Sequence, residues 1–534
     1  MKIFMSILIF ALMTFQVVTA NAAGEKILFI SSDDRPVSLK QPVEVVRQLG
    51  CEIIAPPKEF LNVYNPETNS DNLWAWLDEN ISNANAVVVS SDALLYGGLI
   101  PSRKHNIDEL TLNARVNRFK SLREKNPALK IYVVSSLMRT PQAGTKGDIE
   151  EPDYYAEHGA NIFNYTALLD KSETSKLTSK EKNYLKYLED TLDKEILTDW
   201  FARREKNLSA TKQLIDMTQA GIISYLVIGR DDNSPLSQTH RENLQLKDYA
   251  AKVHLDETKF QSLAGIDEFG MLLLTRAVND LRGESPKIFV DYNKGVGAKT
   301  VPAFSDEQIG NSIKSDVEIV GGELVNKPIG ADVVLLVNTD PKGKTHWGHN
   351  DLPHPHDKKV DYNAPRKDTK YFVDMVESYV SKGYPVSIAD ITFANGADNP
   401  MMNLMKERGL LYKIQAYSGW NTATNSAGFV LGTGILARHM SDESKDKLLT
   451  LRYLEDWGYQ ANVRTLIGAE IFNTRQGGVL YYQFDGKTLN AEKRIKTLLK
   501  DFADKNLPPF KFLNKMKVTC PWNRMFEIDI TFKE

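Results

Sequence analysis

Short β-branched apolar runs recur along this chain, and each is continuous rather than alternating. They lie at Lys26–Ile30, Glu52–Ile54, 86–89, 130–134, 222–228, 287–290, 331–337 and 384–388. A strand that is apolar at every position needs cover on both faces, which is the condition of a parallel sheet flanked by helices. Amphipathic stretches at 42–49, 110–125 and 368–382 supply that cover. The alternation predicts an α/β fold with a mainly parallel sheet, a distorted (β/α) barrel being favoured over an open doubly wound sheet.

The Lys/Glu-rich stretch 169–218 has helical spacing and breaks this rhythm. It is expected to be a helical insertion on the periphery. After residue 447 the pattern turns to helices and then to β character at 479–482 and 526–532. The expected organisation is a signal peptide at 1–22, an α/β catalytic-type domain at 23–447 and a C-terminal α+β subdomain or cap at 448–534. The leader has Lys2, an apolar run to Val18 and Ala20-Asn21-Ala22 before the cut. Its run is shorter than the roughly 20 residues that span a bilayer, so a periplasmic or secreted protein with no membrane association after cleavage is expected. Cys51 and Cys520 are the two cysteines, and an oxidising compartment leaves their pairing open. With 66 Lys+Arg against 69 Asp+Glu, the chain lacks the basic excess of a nucleic-acid binder.

Parallel α/β folds bind ligands beyond the carboxyl ends of their strands, and polar groups gather there in this sequence. The first run leads into Asp33-Asp34-Arg35, the third into Asp92, Tyr96 and Arg103, the fourth into Arg139, and the fifth into Asp231-Asp232. One Asp after a strand is commonly a helix cap. Adjacent carboxylates repel one another unless a cation, a substrate hydroxyl pair or a shared proton uses them. Asp231, Asp232, Asp33, Asp34 and Asp92 are therefore the catalytic candidates. Paired carboxylates suit glycoside hydrolysis or the binding of a hard divalent cation. Arg35, Arg103 and Arg139 either pair with these acids structurally or position an anionic or amide-bearing group. Asp267 and Glu268, which open a helical run, join the substrate-binding candidates.

A second constellation holds Asp390, Asn395, Asp398, Tyr417, Trp420, Asn421 and Asn425 among small residues. Flat aromatic faces and amide or carboxylate side chains are the groups that bind sugars. His346, His349, His354 and His356 are read as part of a polar lid loop rather than a metal site. No metal ligands are assigned and no cofactor is predicted, with a divalent cation left open. No P-loop, nucleophile elbow or dinucleotide fingerprint is present.

The combination of Asp33-Asp34-Arg35-Pro36, Asp92 with Tyr96-Gly97-Gly98-Leu99 and Ser102-Arg103, Gly229-x-Asp231-Asp232, Asp267-Glu268, Gly419-Trp420-Asn421-Thr422 and Pro521-Trp522 resembles a bacterial family of unknown function, number 4127. The resemblance implies a shared architecture over nearly all of the mature chain and carries no activity. More loosely, the Asp-Asp placement resembles hexosaminidase-like barrel enzymes. The expected function is a secreted carbohydrate-active enzyme, a glycoside hydrolase acting on a carbohydrate or other small polar ligand. The alternatives are a non-catalytic periplasmic binding protein for a sugar or envelope component, and a metal-dependent hydrolase.

Overall fold

A computed structural model describes residues 25–532, apart from 65, 147, 232, 348–363, 472–483 and 485. The leader, Asp232, the run 479–482 and His349, His354 and His356 lie outside the described residues. The strands in chain order are β1 (Lys26–Ile30), β2 (Glu52–Ile54), β3 (Ala86–Ser90), β4 (Lys130–Leu137), β5 (Tyr225–Arg230), β6 (Phe260–Ala264), β7 (Lys287–Tyr292), β8 (Glu323–Leu324) and β9 (Val333–Asn338). There follow β10 (His346–Trp347), β11 (Val386–Asp390), β12 (Phe393–Ala394), β13 (Ala416–Ser418), β14 (Met516–Thr519) and β15 (Asp529–Phe532).

The fold is mixed α/β with mainly parallel sheets. One parallel sheet has six strands in the order β2-β1-β3-β4-β5-β6, and the other has five in the order β13-β11-β9-β7-β8. Leu28 of β1 sits between Ile54 of β2 and Val87 of β3, so the register places apolar residues side by side. In both sheets the chain crosses from one side of a strand to the other, between β1 and β3 and between β7 and β9. Crevices at such switch points are the usual ligand seats of open parallel sheets. The short β14–β15 pair is antiparallel.

The apolar runs predicted as strands form the interior of both sheets, except Glu52–Ile54, which is the edge strand β2 of the six-stranded sheet. The run at 222–228 enters its sheet late, because the Ile222 and Ile223 amides bond back to the Met217 carbonyl and close the preceding helix. β6 and β13 are sheet edges that carry polar residues, and an edge strand lacks the continuous apolar signature of an interior one. The Lys/Glu-rich stretch is helical, but its first helix begins earlier, at Tyr155. The helices Tyr155–Thr174, Ser179–Thr191 and Lys194–Gln219 enclose a small core around Trp200, Tyr155 and Leu188. Leu214 and Ile215 at the far end of the third helix join the core of the six-stranded sheet.

One hydrophobic core spans both sheets. Its axis is the contact between the helix Phe269–Arg282 and the helix Ala423–Ala437, whose every residue is buried. Glycines permit this approach. A methyl group on Gly428 would come within 2.6 Å of Glu268 Cγ, and one on Gly432 within 2.9 Å of Thr275 Oγ1. Close-packed interiors do not absorb such intrusions without backbone shifts. The joint fixes the carboxyl edge of one sheet relative to that of the other. Cys51 and Cys520 are both buried and unpaired, which settles the pairing that the sequence leaves open. Among the described residues no helix is long and apolar enough to cross a membrane.

Candidate functional site

Loops from the carboxyl ends of both sheets enclose a cavity of about 260 Å³. Arg35 follows β1, Arg139 and Glu150 follow β4, Asp231 follows β5 and Asp267 follows β6. Asn395 and Asn421 come from the other sheet, and Trp522, Arg524 and Phe526 come from the C-terminal segment. Phe304 completes the apolar part of the wall.

Guanidinium–carboxylate contacts interlock these loops. Arg35 donates to Asp33 Oδ2 at 2.7 Å and to Asp267 Oδ1 at 2.6 Å. Arg103 donates to Asp231 Oδ2 at 2.6 Å and to Glu150 at 3.2 Å. Arg139 pairs with Glu150 and Glu151, and lies 3.9 Å from Asp231. Arg524 donates to Glu150 Oε1 at 2.6 Å and also pairs with Glu527. Arg35, Arg103 and Arg139 thus make the structural pairing that is one of the two roles open to them on sequence grounds, and Arg35 and Arg139 also line the cavity. Burial would raise the Glu150 carboxyl, but the charges of Arg139, Arg524 and Arg103 outweigh it and hold the group well below the usual carboxylate range.

Asp267 is the meeting point of the two sheets. Its Oδ2 accepts from Asn421 Nδ2 at 2.6 Å. Asn425 accepts from the Ile266 and Asp267 amides at 3.1 and 3.2 Å, which fixes the turn that aims the carboxylate. Burial pushes Asp267 up to about 6 against the pull of Arg35, and Asp33 and Asp231 add to the rise. Asp231 sits at the cavity wall with its side chain 17% exposed.

The remaining candidates separate into different places. Asp33 lies behind Arg35 as its counter-charge. Asp34 accepts from Trp522 Nε1 at 2.6 Å and so anchors the C-terminal wall. Tyr96 stacks on His105 and does not line the cavity. Glu268 is buried in the joint between the two long helices, where burial and the charge of Asp316 push it well up. Asp390, Asp398 and Tyr417 form a separate buried cluster. Asp390 accepts from Asn338, Tyr417 and the Asp398 amide, and Asp398 pairs with Arg366. Asn395 reaches the cavity, and its amide donates to the Asn421 carbonyl. Trp420 is a core residue packed against Phe526.

Asp92 lies beneath the site and accepts from the Ser136 amide at 3.1 Å. Burial pushes it up to about 7, with Ser136 and Arg103 opposing. Because the folded value lies above the ordinary 3.8, the contribution of the neutral acid is complete below about pH 4 and is lost as pH rises through about 7. An Asp92→Asn variant should therefore gain stability relative to the parent between those limits. Parallel unfolding curves at about pH 4 and about pH 7 check this, and a constant difference would refute the assignment.

Sequence reasoning missed Asp148, Glu150, Glu151, Arg524, Phe526 and Glu527. The adjacent acids Glu150-Glu151 carry the signal that singled out the two Asp-Asp pairs, but they lie in a loop rather than directly at a strand end. Among the described residues no three His, Cys, Asp or Glu side chains are arranged to hold a metal ion. A family model described as a protein of unknown function (DUF4127) matches residues 27–531. No curated protein and no solved structure matches the chain.

Proposed function

The chain belongs to the DUF4127 family, and we propose that it is a secreted or periplasmic carbohydrate-active enzyme, a glycoside hydrolase. One observation carries this reading. Two carboxylates from adjacent strands, Asp231 and Asp267, meet in a single cavity whose walls include Trp522, Phe526 and Phe304. Aromatic side chains suit the apolar faces of a sugar, and carboxylates and amides suit its hydroxyls. We take the two sheets as two doubly wound units facing one cleft, rather than as a distorted barrel.

A hydrolase of this kind needs one carboxyl that holds a proton and one that does not. Asp267, raised by burial, gives the proton to the leaving oxygen. Asp231, charge-paired with Arg103, activates water or attacks the anomeric carbon. Arg35 and Asn421 orient Asp267, and Asn425 sets its backbone. The rate should fall as pH rises through about 6, when Asp267 loses its proton. A pH profile of kcat/KM on a cleaved glycan tests this, and a flat profile across that region would remove Asp267 as the acid.

A second reading has its own support. Both oxygens of Asp267 already accept hydrogen bonds from the protein, a pre-organised arrangement that also suits a binding protein. Calorimetric binding of a glycan without product formation would favour that reading.

A further inference from the structure

We propose that the proton state of two buried acids, Glu268 and Asp316, controls whether the two halves of this cleft stay joined. The proposal rests on the reading of the cleft as the functional site and does not need it to hydrolyse anything.

Glu268 and Asp316 are each 1% exposed, and none of their four carboxyl oxygens has a hydrogen-bond partner among the described residues. A buried carboxylate ordinarily has donors or a cation beside it, and one without them takes up a proton. Neither group has a counter-charge. The helix Ala423–Ala437 packs against both helices that carry them and has no charged residue. On Phe269–Arg282, Arg276 bonds Asp280 and Arg282 bonds Glu25. On Ile309–Ile319, Lys314 is exposed and lies 3.9 Å from Glu318. Arg35 is taken by Asp33 and Asp267, and Arg230 by Asp306 and Glu307. Among the other elements packed against these helices, Glu44 pairs with Arg47, Lys40 with Asp529, and Lys130 and Tyr132 both donate to Asp280. Lys299 and Glu323 are exposed. The charges that do act on the pair are acids. Asp316 and Asp267 act on Glu268, and Glu307 acts on Asp316, so repulsion adds to burial and pushes both groups well up.

Glu268 is wedged between two glycines of the cleft's frame. A methyl group on Gly265 would lie 1.9 Å from its Oε1, and one on Gly428 would lie 2.6 Å from its Cγ. Gly265 has a φ of +115° and opens the turn whose Ile266 and Asp267 amides bond to Asn425 Oδ1. Gly428 lies on the same helix as Asn425. An ionised Glu268 needs water, and these contacts leave no space for it unless the turn and the helix part. Asp267 then loses the bonds to Asn425 and Asn421 that hold it in the cleft. The sign follows from the raised folded values. The joint is fully closed below the ordinary 4.5 and 3.8, and it loosens as pH rises through the folded values.

Hydrogen exchange read by mass spectrometry on the full chain tests this, from about pH 5 to about pH 9, the upper range of buried carboxyls, after correction for intrinsic rates. Protection of segments 262–270 and 419–430 should fall at least about tenfold, the effect of one pKa unit. The interior strands β3 and β9 should keep theirs. The slope of log protection against pH counts the protons released on opening. Glu268→Gln and Asp316→Asn should each have about half the parent slope, and the double variant should have none. Thermal unfolding confirms that the variants are folded; where Glu268→Gln is not, Asp316→Asn carries the same count.

A flat parent profile would overturn the proposal. So would the full slope surviving in either folded variant, or an equal fall in β3 and β9, which reports unfolding of the whole protein. Gated exchange in a protein that cleaves no glycan supports the proposal and counts against hydrolysis. Cleavage by a protein whose exchange is flat overturns it and leaves the hydrolase reading in place.

Discussion

Asp231→Asn should abolish glycan cleavage while leaving the protein folded. The expected loss is about 10²–10⁴-fold, the usual contribution of a positioned acid or base. Asp231 stands at the end of β5 on the cavity wall, and its Oδ2 accepts from Arg103. An amide there cannot carry the charge, take a proton from water or attack an anomeric carbon. The fold should survive because Arg103 keeps Glu150 and Glu151 as counter-charges. Mass spectrometry of products from a broad panel, including acidic, N-acetylated and deacetylated glycans, reads the effect, and thermal unfolding reads the fold. Full activity in a folded variant would remove Asp231 from the mechanism.

The largest stability effect is expected at Arg452, away from the cavity. This buried side chain pairs bidentately with Asp456, donates to Gln41 Oε1 at 2.7 Å and lies 3.4 Å from Glu455. Gln41 in turn donates to Glu455 at 2.6 Å. Asp456 also accepts from the Gly419 amide at 2.7 Å, two residues before Asn421. Arg452→Met keeps much of the volume and leaves two buried carboxylates without their cation. Breaking a buried pair in this way costs about 3–5 kcal/mol.

The deficit should depend on pH in a stated direction. Burial pushes Glu455 up to about 8, with Arg452 pulling it down, so loss of the arginine raises it further. A carboxyl whose folded value exceeds its ordinary 4.5 stabilises fully below that value and loses the contribution as pH rises through the folded value. The Arg452→Met deficit should thus be smallest in acid and largest above about pH 8. Urea unfolding of both proteins at the two extremes measures it. Equal deficits would contradict the account of Glu455 and Asp456.

The interior strands of both sheets were legible because continuous apolar runs leave few other options. β6 and β13 were not, since a sheet edge asks less of its sequence. Site residues divide along similar lines. Arg35, Arg139, Asp231, Asp267, Asn395 and Asn421 were readable as polar residues at or near strand ends, and they line the cavity. Asp390 and Asp398 carried the same local signal and lie in a separate buried cluster. Trp420 read as a sugar platform, yet its ring packs in the core beside Phe526. Local composition identifies a polar strand end but carries no information about what faces it.

What the sequence determined by itself was the α/β class and the side of the sheets on which polar chemistry collects. Both follow from local rules, since an apolar strand must be covered and loops at the carboxyl ends stay free for ligands. Only the tertiary structure decided which of those ends meet. Arg524 reaches Glu150 across 374 positions of sequence, and Asn421 reaches Asp267 across 154. Such contacts act over a few ångströms, whereas sequence periodicity extends over only a few turns or strands. The distance between these groups is set by strand order and by the glycine-permitted packing of Ala423–Ala437 on Phe269–Arg282.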